Sequence, residues 1–243
     1  MLPISDENPA ELRPVVTVAL ILLNAYAWFQ LQGAGTEQAL QASAIHFGAI
    51  PCEVTGACPV EGLGNGAILT SMFMHGSWEH IIGNMLFLWV FGNNIEDSMG
   101  HLRFLVFYLL CGVVATAAHI WFNLADVVPV VGASGAISGV MGAYIVLYPH
   151  ARVQTWFPPI FFFHLRAVFF LAYWFLVQAA MAALELGSQA DAEGGGVAVW
   201  AHVGGFIAGL LLVKVFENHT LTRARRAKVK LTPDEVARAR PWL

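Results

Sequence analysis

Long apolar stretches alternate with short polar ones along most of this chain. Crossing a bilayer takes roughly 20 mostly apolar residues. Six runs approach or reach that length. They are residues 15–31, a run that begins inside MFMHGSWEHIIGNMLFLWVFG and closes near Gly92, then 104–122, 133–148, 167–186 and 197–216. Each predicts an α-helix, because lipid offers no partners to open backbone groups. No series of alternating ten-residue strands marks a barrel. The fourth run stops at Pro149. At ~1.5 Å per residue its 16 residues reach about 24 Å, short of the ~30 Å hydrocarbon layer. Its outer end is therefore expected below the membrane surface, reached by water through a polar recess. The expected fold is all-α: a polytopic membrane protein with a six-helix bundle.

Composition agrees with this pattern. The chain has 243 residues, 58% hydrophobic and 12% charged, where soluble domains run near 25% charged. A soluble domain of this size is excluded. The first residues, MLPISDENPAELRP, are acidic and turn-rich and lack a basic n-region with a cleavage site. The first apolar run is thus expected to be retained. The net charge of −4 alone says little about partners; the lipid bilayer is the partner that composition implies, and no nucleic-acid partner is expected.

Charge placement sets an orientation. The chain has 12 Lys and Arg: Arg13, Arg103, Arg152, Arg166, Lys214 and seven between Arg223 and Arg240. All fall on one side of a six-span scheme. The opposite loops carry Glu37, Glu53, Glu61, Asp126, Asp191 and Glu193 without a basic residue. The positive-inside rule puts both termini in the cytoplasm. The expected organisation is a cytoplasmic N-terminus at 1–13, a six-helix domain at 14–217 and a basic cytoplasmic tail at 218–243. In that tail, Thr232 and Pro233 read as an N-cap and first helical position, and the basic residues can meet anionic headgroups. The compact six-span form suggests a bacterial cytoplasmic membrane.

The outward loop at 32–67 contains CEVTGAC, with Cys52 and Cys58. Outside the cytoplasm a disulfide can form there; the sharper alternative joins both cysteines and His46 in a metal site. Cys111, mid-span, reads as a small packing residue. His119, His164 and His219 also read as packing residues. Glu79 is expected at the outer interface, without a role.

Polar side chains inside a bundle are costly and mark functional sites by default. His80 and Asn84 lie four apart on one helix face, Ser134 starts the fourth run, and His202 lies near the start of the sixth. These three runs all travel from outside to inside, so the four residues share one depth near the outer ends. That set fits nucleophilic catalysis. A serine hydroxyl is a weak nucleophile that needs an adjacent base, and His202 can take its proton. A tetrahedral oxyanion needs donors already in place; the Ser134 N–H, the His80 ring and the Asn84 amide can supply them. Gly135 with Gly139, and Gly205 with Gly209, form small-xxx-small faces that let two helices approach closely. Nothing in the sequence directs a carboxylate to His202, so a Ser–His dyad is expected, with no cofactor and no metal.

GASG at 132–135, AHVGGFIAG at 201–209 and HGSWEHIIGN at 75–84 together resemble the rhomboid intramembrane serine proteases. The resemblance runs over roughly 14–217. It implies Ser134 as nucleophile, His202 as general base, His80 and Asn84 as oxyanion-side donors and His75 at the outer edge of the site. It also implies cleavage of transmembrane protein substrates near their outer ends. Two departures stand out. GNGAILTSMFMH lacks the Trp-Arg pair that many members carry ahead of the second span. Ser138 stands where members often have an aromatic residue packed on the histidine.

Three other classes remain to be weighed. A non-catalytic rhomboid-like client-binding protein is expected to lack the serine or the histidine. A metalloprotease needs a ligand pattern such as H-E-x-x-H, which WEHIIGN does not supply. A transporter would show inverted repeats or paired broken helices, and neither is visible.

Overall fold

The computed structural model describes residues 1–8, 10–159, 161–187, 198–226, 234–235 and 238. A helix forms at each of the six apolar runs: α1 (Val15–Gln30), α5 (Trp78–Met99), α6 (His101–Phe122), α7 (Ser134–Leu147), α8 (Ala167–Gly187) and α9 (Val199–Phe216). Between α1 and α5 lie the short helices α2 (Glu37–Phe47), α3 (Pro51–Thr55) and α4 (Ala67–Thr70), and α10 (His219–Arg226) follows α9. By length and composition, α6, α8 and α9 can each cross a membrane, and α1 and α7 are shorter apolar helices. The fold is that of an all-α polytopic membrane protein.

The outer surface of the bundle matches lipid. Leu22, Leu23 and Phe29 on α1, Tyr173 and Leu176 on α8, and Leu211 and Val215 on α9 are all exposed. Such a broad apolar exterior has no place in water. Polar side chains turn inward instead.

α7 occupies the centre and packs on α5, α6, α8 and α9, most extensively on α9. Every residue from Gly135 to Tyr144 is buried, as expected of a helix that is apolar on all sides. The contact with α9 is made backbone to backbone. A β-carbon on Gly205 would overlap the Gly135 carbonyl, and one on Gly209 would overlap the Gly139 carbonyl. An added β-carbon would likewise crowd Ala115 at Gly135 and Cys111 at Gly139. Cys111 of α6 fills the space beside Gly139, in the packing role read for it.

α5 runs about two turns past the expected end near Gly92. The extension carries Glu96 and Asp97, both fully buried. Their carboxyl groups are satisfied by the start of α1 and the segment just before it. Glu96 accepts from the Val16 and Thr17 N–H groups, each at 2.8 Å, and from the Thr17 hydroxyl at 2.7 Å. Asp97 accepts from the N–H groups of Glu11 and Leu12. The first N–H groups of a helix have no partner within it, and α1 has no side-chain cap of its own. A neighbouring helix supplies the caps instead.

A small sheet was not expected. β1 (Leu2–Asp6), β2 (Arg152–Phe157) and β3 (Phe161–Arg166) form an antiparallel sheet in that order. β2 and β3 are a hairpin between α7 and α8, in register from Arg152 opposite Arg166 to Phe157 opposite Phe161. The segment read as an acidic, turn-rich terminus is its edge strand, with Asp6 opposite Val153. Asp6 then reaches the bundle, accepting from the Tyr144 hydroxyl and the Asn94 amide. α10 docks through Asn218, whose N–H donates to the Ser98 carbonyl at 2.7 Å. Thr232 and Pro233 lie outside the described residues, as do Asp191 and Glu193.

In the long loop between α1 and α5, Cys52 and Cys58 are joined by a disulfide. That removes both thiolates from the alternative metal site, and the His46 ring packs edge-on against Phe47. Two of the three histidines read as packing residues are not buried. His164 lies on β3, half exposed and 3.7 Å from Glu7, and His219 is exposed beside Glu217. His119 is buried, as expected.

Candidate active site

Ser134 is the first residue of α7. Its helix ladder begins with the Ile137 N–H bonded to the Ala133 carbonyl at 3.0 Å. The N–H groups of Ser134, Gly135 and Ala136 therefore precede the ladder, which leaves donors and the positive end of the helix dipole beside the hydroxyl. The His202 Nε2 lies 2.7 Å from the Ser134 Oγ. His202 sits in the first turn of α9 and is 8% exposed. The glycine-mediated approach of α7 and α9 is what brings these two residues within reach.

His202 makes a second bond that the sequence reading missed. Its Nδ1 lies 2.7 Å from the Gln178 Oε1 on α8. The aromatic neighbour missing at position 138 also comes from α8. Trp174, one turn before Gln178, places its ring centroid 5.6 Å from the imidazole and stacks on Phe206. Ser138 turns its hydroxyl back to donate to the Ser134 carbonyl at 2.6 Å. A signal for Gln178 was present: a polar residue in the middle of LAYWFLVQAAMAAL, in a setting where polar groups are expensive.

α5 brings His80 and Asn84. Ser77 caps this helix, accepting from the His80 N–H at 3.2 Å. The His80 ring lies against Gly132, where a β-carbon would come within 2.8 Å of the ring and 3.5 Å of the Ser134 Oγ. Gly132 has φ +130°, a conformation that suits only glycine. Its N–H donates to the Ser71 carbonyl at 2.9 Å. Glycine is thus required twice here, for the turn into α7 and for room beside His80. The Asn84 amide nitrogen is buried and has no partner among the described residues. Leaving such a donor unpaired normally costs ~1–3 kcal/mol. It is available for a developing negative charge.

His75 differs from expectation. It is 1% exposed, so it does not form an open edge of the site. Gln32 clamps its backbone, accepting from the His75 N–H at 2.9 Å and donating to its carbonyl at 2.7 Å. That clamp holds the ring against His80, centroids 5.1 Å apart. Glu79 is exposed, as expected.

The geometry collects a serine, two histidines and an asparagine from three helices at one end of the bundle, around the start of the most buried helix. The Rhomboid domain model matches residues 66–218, more than half of the chain, and the chain belongs to the rhomboid family. Rhomboid protein 1, mitochondrial, of Saccharomyces cerevisiae is 34% identical over 98 residues, 39% of this chain and 28% of that protein. Presenilin-associated rhomboid-like protein, mitochondrial, of Bos taurus is 36% identical over 98 residues, 40% of this chain and 26% of that protein. Rhomboid-like protein 11, chloroplastic, of Arabidopsis thaliana is 33% identical over 79 residues, 32% and 28% of the two chains. The match spans less than a third of each of these relatives.

Proposed function

We propose that this protein is an intramembrane serine endopeptidase that cleaves transmembrane segments of other membrane proteins through Ser134 and His202. The observation that carries this reading is the 2.7 Å contact between the Ser134 Oγ and the His202 Nε2. Family membership supports it. His202 Nε2 takes the hydroxyl proton as Ser134 Oγ attacks the scissile carbonyl carbon. The tetrahedral oxyanion meets the Ser134 N–H, the His80 ring and the Asn84 amide, and fixed donors of this kind account for much of such catalysis. Collapse breaks the C–N bond, and the imidazolium passes its proton to the leaving amine. A water then attacks the acyl-enzyme by the same route and regenerates Ser134.

The substrate class is a helix that presents an extended stretch near its outer end, because the dyad lies at the outer ends of α7 and α9. Both termini are assigned to the cytoplasm from the charge distribution. The catalytic unit is 14–217, between the N-terminal 1–13 and the basic tail 218–243. The bacterial cytoplasmic membrane is the expected setting from the compact six-span form, whereas the relatives above are named as mitochondrial and chloroplastic.

The test is reconstitution in vesicles with candidate transmembrane substrates. Wild type should cut, and Ser134→Ala and His202→Ala should not. Cleavage that survives Ser134→Ala, or that a chelator abolishes, overturns the reading.

A further inference from the structure

A neutral imidazole has one N–H donor and one acceptor nitrogen. For His202 to accept the Ser134 proton on Nε2, its own proton must sit on Nδ1. The group that faces Nδ1 is the side-chain carbonyl of Gln178, at 2.7 Å. A carbonyl oxygen can only accept, so this contact requires Nδ1–H. It thereby leaves the Nε2 lone pair directed at Ser134 Oγ. Trp174, four residues earlier on the same face of α8, packs on the imidazole and on Phe206 and restricts the ring's tilt. One helix face thus supplies both the hydrogen bond and the packing that orient the ring.

We propose that Gln178 is a positioning residue that holds His202 in its Nδ1–H tautomer and fixes the ring relative to Ser134. This rests on the reading of Ser134 and His202 as nucleophile and base. The amide takes the place that a carboxylate fills in a Ser–His–Asp triad. The substitution has a physical logic here. A buried carboxylate would need charge compensation within the membrane, whereas an amide carries no net charge and still accepts the bond. The cost is weaker stabilisation of the imidazolium after proton transfer. The titratable groups that act electrostatically on His202 are His80 from α5 and His119 from α6, neither of which can supply a negative charge.

Two measurements test this. First, kinetics in vesicles over a range of pH compare Gln178→Leu, which keeps the volume and removes the acceptor, with Gln178→Glu, which keeps the acceptor. Gln178→Leu should lower kcat by roughly 10- to 100-fold, the usual effect of removing a group that orients a functional histidine, with KM within about twofold. Gln178→Glu should keep at least about a tenth of wild-type kcat. It should also move the acid limb of kcat/KM to higher pH, because an adjacent anion favours the imidazolium. Wild-type kcat in Gln178→Leu, or an unmoved acid limb in Gln178→Glu, overturns the proposal. Second, nitrogen-15 NMR of histidine-labelled protein in the Ser134→Ala background reads the tautomer without any activity. The resonance assigned by its loss in His202→Ala should report Nδ1–H, and should become mixed or Nε2–H in Gln178→Leu. An Nε2–H tautomer with Gln178 intact overturns the proposal, whatever the fate of the protease reading. Loss of cleavage control by Ser134 with the tautomer as expected would overturn only the protease reading. If Gln178→Leu does not fold, the acid limb of Gln178→Glu and the tautomer of the Gln178-intact protein still decide.

Discussion

Gly205 stands against the carbonyl oxygen of Gly135 with no room for a β-carbon. The relation repeats one turn on, where Gly209 meets the Gly139 carbonyl. The opposed atoms are backbone, so no rotamer change can relieve an added methyl group. Gly205→Ala and Gly209→Ala must therefore separate α7 from α9, at or beyond the ~1–3 kcal/mol typical of overpacking. Thermal unfolding in detergent should show a lowered Tm, and cleavage should fall because the Ser134–His202 contact lengthens. Gly83→Ala is the control. A β-carbon there meets nothing within 4 Å, and its Tm should match or slightly exceed wild type.

Asn84→Ala separates chemistry from stability. The Asn84 amide nitrogen has no partner among the described residues, so its removal breaks no bond at that atom in the resting protein. If it binds the oxyanion, kcat should fall by roughly 10²-fold while Tm stays level or rises. Equal losses in kcat and Tm would show a structural role instead.

Glu96→Ala should act far from the dyad. It strands the Val16 and Thr17 N–H groups and the Thr17 hydroxyl, which now share one carboxyl group. The cost should be about 2 kcal/mol or more, read as a lower Tm with protease sensitivity rising first near the start of α1. Glu96→Gln keeps an acceptor and should lose less.

Asp6 gives the small sheet a pH dependence. Burial raises its carboxyl from 3.8 to about 6, against the lowering effect of the Tyr144 hydrogen bond. The folded value lies above the unfolded one, so the protonated form is favoured by folding. Its contribution is complete below about 3.8 and is lost as pH rises through about 6. The Tm difference between wild type and Asp6→Asn should therefore change between about pH 4 and pH 7, with wild type relatively more stable at the acid end. An identical pH profile in both proteins would contradict this.

The helices could be read from the sequence because each rests on a long apolar run, and the Ser134–His202 pair, which the structure brings into contact, because its residues are polar where polarity is costly. The β2–β3 hairpin could not. RVQTWF and FFFHLR are six residues each, too short and too apolar to separate from the ends of neighbouring spans. The end of α5 was misplaced for a related reason. Glu96 and Asp97 look like residues that leave the membrane, and only the tertiary contact with α1 shows that they stay buried. Gln178 differs from these. The argument that selected His80 and His202 applied equally to it, but its partner on α9 is invisible until α8 is docked. His75 shows the reverse: its motif was legible, while the Gln32 clamp that buries it is not.

The central claim is that Ser134 is a nucleophile activated by His202. A fluorophosphonate reagent followed by peptide mass spectrometry tests it without a substrate. The account predicts a covalent adduct on Ser134 in the wild-type protein, no adduct in Ser134→Ala, and labelling slowed by orders of magnitude in His202→Ala. An unmodified Ser134 in folded wild-type protein, or an undiminished labelling rate in His202→Ala, would contradict it.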